Sequence, residues 1–158
     1  MLTPEQRCEQ IEKIRQLPAQ LRALVKVLSP EQLTTHYLPN EWTVAQNIHH
    51  LADAHMNSFV LFKLMLSEEK PPLKGYNPDV WANMVDANHA DLEPSLRLLE
   101  GLHERWVQLL ASLTEADFAR IGVSTRGERT IDDYLRIYGN HGEAHIDQIQ
   151  RTLAAQHA

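Results

Sequence analysis

Glu41-Trp42-Thr43-Val44-Ala45-Gln46-Asn47-Ile48-His49-His50-Leu51-Ala52-Asp53-Ala54-His55-Met56-Asn57-Ser58 reads as the opening of a long helix. Thr43 followed three residues later by Gln46 forms a capping box. Ile48, Leu51, Val60, Leu61, Leu64 and Met65 then recur at helical spacing to about Glu69, and Pro71-Pro72 ends the run. One face of this helix is polar. Gln46, His50, Asp53 and Asn57 fall within a narrow angular range, with His49 beside that face and His55 away from it.

The chain on either side is also helical. Thr3-Pro4-Glu5-Gln6 caps a first helix carrying Ile11, Ile14, Leu17, Leu21, Leu24, Val25 and Leu28. Pro18 has no N–H to donate, so a kink or restart is predicted there. Ser29-Pro30-Glu31-Gln32 repeats the capping pattern for a short turn, and Pro39-Asn40-Glu41 is a loop. Lys70 to Asn77 reads as a surface connection, and Asn77-Pro78-Asp79 starts a short helix with Val80, Trp81 and Met84. A third long helix carries Leu92, Leu96, Leu99, Leu102, Trp106, Leu109, Leu110 and Leu113. Ala119 to Arg129, with two glycines and β-branched residues, reads as a small hairpin or an extended loop. Thr130-Ile131-Asp132-Asp133 caps the last helix, which carries Ile131, Leu135, Ile137, Ile146, Ile149 and Leu153. The predicted fold is all-α: a four-helix bundle with long connections, one domain over 1–158, not bound to a simple up-down-up-down order.

Composition excludes several function classes. At 158 residues the chain is long enough for a real core, and 43% apolar with 23% charged residues is an ordinary globular balance. The net charge of −6 is spread without a Lys/Arg block, which argues against nucleic acid or an anionic membrane as partner. No apolar run approaches a membrane span of ~20 residues. The N-terminal Met1-Leu2-Thr3-Pro4-Glu5 lacks a signal-peptide pattern, and the single cysteine precludes an internal disulfide, so a cytoplasmic setting is expected. Cys8 is expected to be partly buried rather than nucleophilic.

The excess is in histidine, nine residues in all. His141 and His145 lie four apart in the last helix and so share one face, about 6 Å apart along its axis. Tyr134, Tyr138 and Gln148 fall on the same face. Such a polar stripe is either solvated or lines an interior cavity. His50, on the polar face of the second helix, can complete a three-histidine set with this pair, with His49 in reserve should the register differ by one. Asp53 or Asn57 can orient a ligand from outside the coordination shell. Three protein ligands leave room for water or substrate, which is the form of a catalytic site. Imidazole suits zinc, nickel, iron or copper. His36, His89, His103 and His157 have no ligand-spaced partner and read as surface residues; His49 and His55 read as core or rim residues.

The Glu41–Ser58 run, with Phe62-Lys63-Leu64 after it, resembles the second helix of YfiT-like proteins of the DinB-like superfamily. Tyr138-Gly139-Asn140-His141-Gly142-Glu143-Ala144-His145-Ile146 is similar to that family's closing histidine motif. The likeness covers nearly the whole chain, including Trp81. Where relatives often carry basic residues or histidine after His-Gly, this chain has Glu143 and Ala144, which alters the expected charge at the site mouth. The resemblance implies a four-helix bundle of unusual connectivity and one nickel- or zinc-type divalent ion per chain. It places that ion on His50, His141 and His145, and it implies a homodimer. It also implies a small-molecule substrate and one of two activities: a metal-dependent hydrolase, or an S-transferase using a low-molecular-weight thiol such as bacillithiol.

Both chemistries need the same imidazoles. A bound ion acidifies water toward ~7 for hydrolysis, or holds a thiol as thiolate. No general base stands out beyond Asp53. The alternative is a non-catalytic bundle with a structural metal or none, favoured by a fourth protein ligand closing the site.

Overall fold

The computed structural model describes residues 1–157, with side chains described to residue 156. Helix α1 spans Pro4–Val25 and α2 Pro30–Thr34; α3 is Val44–Ser67, α4 Pro78–Ala82, α5 Glu93–Ala111 and α6 Glu115–Phe118. Strands β1 (Ile121–Ser124) and β2 (Gly127–Thr130) form an antiparallel hairpin, and α7 (Ile131–Ala154) follows directly. The stretch read as hairpin or loop is thus a hairpin, turned at Gly127 with a φ of 99°. Thr3, Ser29, Thr43 and Thr130 each cap a helix through a full capping box.

The four long helices are α1, α3, α5 and α7. Helix α1 packs on α5 and α7, and α3 packs on the same two, so α1 and α3 lie across the bundle from each other. Contacts fix the directions. Arg7 meets Asp132 and Leu17 meets Gly142, so α1 and α7 run parallel. His49 meets Ser95 and His55 meets His103, so α3 and α5 also run parallel. Asn47 meets His145 and His55 meets His141, so α3 and α7 are antiparallel. The order is up-down-down-up, and the long connection carrying α4 is the crossover that lets two successive long helices point the same way.

Helix α7 approaches α1 closely through two glycines. A Cβ at Gly139 would lie 2.1 Å from Gln10 Oε1, and one at Gly142 would lie 2.6 Å from the Leu17 methyls. Of the kink or restart expected at Pro18, there is no restart: α1 continues through it as one helix, with the proline ring buried. Pro18 removes one helical donor, the partner of the Ile14 carbonyl, and that carbonyl is satisfied from another helix.

The apolar core forms two clusters. One gathers Leu17, Leu21, Ile48, Leu51, Leu96, Leu99 and Ile149; the other gathers Phe59, Phe62, Met65, Trp106, Leu110, Ile131 and Leu135. On α3, α5 and α7, the segments between these clusters carry His55, His103, His141 and His145. Two residues expected on the apolar stripes turn outward: Val60 is 50% exposed and Ile137 37%. Cys8, expected to be partly buried, is exposed. Among the described residues, no helix is long and apolar enough to cross a membrane.

Candidate metal centre

Helices α3 and α7 bring His50, His141 and His145 together. Their ligand atoms all lie within 4.8 Å of one another. His141 Nε2 is 3.1 Å from His145 Nε2 and 3.4 Å from His50 Nε2. An ion bound at about 2.0–2.1 Å from each imidazole nitrogen holds such atoms roughly 2.9–3.4 Å apart for octahedral to tetrahedral angles. These two separations therefore suit a single first-row ion. Among the described residues no carboxylate or cysteine joins the cluster, so the fourth ligand that would close the site is not supplied by such a side chain.

Surrounding contacts bear on which nitrogen is available in two of the rings, His145 and His141. Asn47 Nδ2 donates to the Thr43 carbonyl at 2.9 Å, which turns its Oδ1 toward His145. That oxygen accepts from His145 Nδ1 at 2.7 Å. His145 therefore carries its proton on Nδ1, and its Nε2 lone pair faces the other two rings. His141 Nδ1 lies 3.1 Å from His55 Nε2. Burial pushes the His50 and His145 imidazoles down to about 4 and His141 to about 3, with the neighbouring imidazole as the lesser cause in each case. Neutral rings are the form that binds metal.

Aromatic rings border the cluster. The Trp42 ring is 4.7 Å from His50, centroid to centroid, and lies nearly parallel to His145 at 6.0 Å. Tyr76 lies 6.5 Å from His50 and stacks on Trp81 at 4.0 Å. Burial raises the Tyr76 phenol well above its ordinary value, so it stays a hydroxyl. His50 is buried, whereas His141 and His145 are half-buried.

Neither residue read as an orienting group is bonded to the cluster. Among the described residues, Asp53 and Asn57 make no hydrogen bond to the three rings; the orienting contacts come from Asn47 and His55. Asp53 lines a separate cavity of about 540 Å³ with His49, Asp86 and Ser95, where burial and then Asp86 raise its carboxyl. His49, the reserve ligand, is bonded there to Ser95 Oγ and near the His89 carbonyl. Gln46 is spent on the Thr43 cap and on the Ala82 carbonyl, which ties α4 to α3. Glu143 pairs with Lys13 of α1 at 3.1 Å and is exposed, so its charge is taken up on the outer face.

His103, read as a surface residue, is buried at 1% exposure, and His55 at 0%. Their signal was present: His103 falls in the stripe Leu92, Leu96, Leu99, His103, Trp106, Leu110, with core spacing throughout. His36 and His89 are exposed as expected. The reading of His157 lies outside the described side chains.

A profile described as the DinB superfamily matches residues 13–149. A Geobacillus thermodenitrificans protein, provisionally named a metal-dependent hydrolase, is 48% identical over 143 residues, covering 89% of this chain and 80% of its own. YfiT of Bacillus subtilis, named in the same provisional way, is 38% identical over 157 residues, covering 96% of this chain and 88% of its own. The solved structure of Bacillus subtilis YfiT, described as an unusual four-helix bundle topology, superposes with a TM-score of 0.93 at 37% identity, covering 99% of this chain and 90% of that one. Family profile, sequence identity and superposition agree: the chain belongs to the DinB superfamily, among its YfiT-like members.

Proposed function

We propose that this chain is a metal-dependent enzyme, a hydrolase or a low-molecular-weight-thiol S-transferase, whose ion is held by His50, His141 and His145. The observation that carries the reading is the meeting of Nε2 atoms from two helices, with His141 at separations from the other two that suit one ion. The names of relatives on both sides of 40% identity support the same class. A closed structural site is disfavoured because no fourth His, Cys or carboxylate joins the cluster among the described residues.

When bound, a nickel- or zinc-type ion supplies Lewis acidity, which acidifies a water or thiol held against it. The protein's own residues do the rest. His50, His141 and His145 hold the ion, and Asn47 keeps the His145 ring in its binding tautomer. Trp42 and Tyr76 give the site an aromatic border against which an apolar part of a small substrate can lie. A cytoplasmic setting and a homodimer belong to the same proposal, and sedimentation at several concentrations tests the dimer.

Metal analysis of the purified protein with and without His141→Ala tests the site. A stoichiometric first-row metal in the parent and its loss in the variant are expected. Full occupancy in the variant contradicts the assignment. Assays offering water or a small thiol as acceptor to the same electrophilic substrates then separate hydrolysis from transfer.

A further inference from the structure

Behind the metal centre, a line of hydrogen bonds crosses all four long helices. His103 Nδ1, on α5, donates to the carbonyl of Ile14, on α1, at 2.6 Å. His103 Nε2 lies 2.8 Å from His55 Nδ1, on α3. His55 Nε2 lies 3.1 Å from His141 Nδ1, on α7. The His55 and His103 rings are within 8° of parallel with centroids 4.9 Å apart. With nitrogens so close, the rings meet edge to edge in one plane, as in-plane lone pairs require.

The order of protons along this line is forced from one end. A carbonyl oxygen only accepts, so His103 must carry a proton on Nδ1. His103 and His55, at 1% and 0% exposure, meet only a carbonyl and other imidazoles along this line, so each ring is neutral with one proton to place. His103 Nε2 is then an acceptor, and His55 donates to it from Nδ1. His55 Nε2 is left as an acceptor, and His141 donates to it from Nδ1. The lone pair of His141 is thereby left on Nε2, facing His50 and His145.

The anchor is written into α1. The Ile14 carbonyl would ordinarily accept from the backbone N–H four residues on, but that residue is Pro18. A proline inside the helix frees the one oxygen that sets the series.

We propose that His55 and His103 are positioning residues for the metal ligand His141: anchored on the Ile14 carbonyl, they fix which nitrogen His141 turns to the ion. The proposal rests on the metal centre assigned above. Partners of this kind around a metal site change affinity about 10–100-fold when removed.

The test uses two variants and two readouts. Long-range ¹H–¹⁵N spectra of the metal-free protein, labelled at histidine nitrogens, report the tautomer of each ring. Zinc titration against a chromophoric chelator reports affinity. In the wild type, His103, His55 and His141 should all carry the proton on Nδ1. In His103→Phe the ring volume stays but donor and acceptor are lost. His55 and His141 should then show mixed tautomers, with zinc bound about tenfold or more weakly. In His103→Gln, the amide offers one donor to Ile14 and one acceptor to His55, and both readouts should return toward the wild type. The wild-type spectrum decides alone if His103→Phe fails to fold. A proton on His141 Nε2 in the wild type, or unchanged tautomers and affinity in His103→Phe, overturns the proposal while leaving the metal centre intact. No zinc binding by the wild type would remove the metal centre itself, and the role assigned to His55 and His103 with it.

Discussion

Two buried polar groups join helices of this bundle, and they are completed in opposite ways. Near the starts of α1 and α7, Arg7 holds Asp132 in a bidentate pair, at 2.7 Å and 3.0 Å, with both side chains almost fully buried. The Leu2 N–H adds a bond to the same carboxylate, Glu115 takes another guanidinium N–H, and the Phe118 ring lies 4.2 Å from the guanidinium carbon. Charge and hydrogen bonds are closed within the chain. Nine residues further along α7, roughly 13 Å along the helix axis, the histidines are held just as firmly from behind. At the front their Nε2 atoms face one another. The first group is finished by the protein; the second is prepared for something from outside. Buried polar groups carry function where their partners are left incomplete, and structure where they are not.

The comparison breaks most visibly at the ion pair. Arg7→Met leaves Asp132 buried without its partner and should cost about 3–5 kcal/mol of stability in denaturant unfolding. Zinc binding per folded chain should stay unchanged, because the pair lies outside the centre. His50→Ala should do the reverse. Zinc affinity should fall at least about 100-fold, a change of roughly 2.7 kcal/mol, while metal-free stability moves far less. Equal effects of the two substitutions on both readouts would erase the distinction.

Acid separates the regions next. The buried histidines lie well below the ordinary imidazole value, with His50, His145 and His103 at about 4 and His141 at about 3. Between about 6.5 and 4 the unfolded chain takes up protons that the folded chain refuses. Stability of the metal-free protein is therefore full above pH 6.5 and falls as pH drops toward 4. Thermal melts across this range should show it, and excess zinc at pH 6.5 should raise the melting temperature. A flat profile from 6.5 to 4 would mean the rings are not neutral and buried as described.

Smaller effects sharpen the boundaries. Gly142→Ala places a methyl against Leu17 and should cost about 1–3 kcal/mol through overpacking. Glu143→Ala removes only an exposed pair with Lys13 and should change stability by under about 1 kcal/mol, with zinc affinity unaltered. A clear loss of zinc affinity in Glu143→Ala would put this carboxylate back at the site mouth.

Much of this was legible in the sequence, because capping boxes and apolar periodicity are local signals. Thr3, Thr43 and Thr130 each mark a helix start that the structure keeps. The three histidines were readable as a set from helical faces and from resemblance together. What was not legible depended on which helix lies beside which. Asp53 lines a cavity with Val85, Asp86 and the start of α5, although it shares a broad helical face with His50, because those later segments pack against that side of α3. His103 read as a surface residue because no ligand-spaced partner stands near it in sequence. Its partners, Ile14 and His55, come from two other helices. Pro18 read as a kink or restart because its effect was judged on one helix alone, whereas its consequence is met across the bundle.

The central claim is that three imidazoles from two helices hold one ion. Crystals grown with zinc and measured at its absorption edge test this most directly. One strong anomalous peak is predicted, at about 2.0–2.1 Å from an Nε2 of each of His50, His141 and His145. A map with no peak there, or with the ion seated elsewhere and His50 beyond bonding distance, would contradict it.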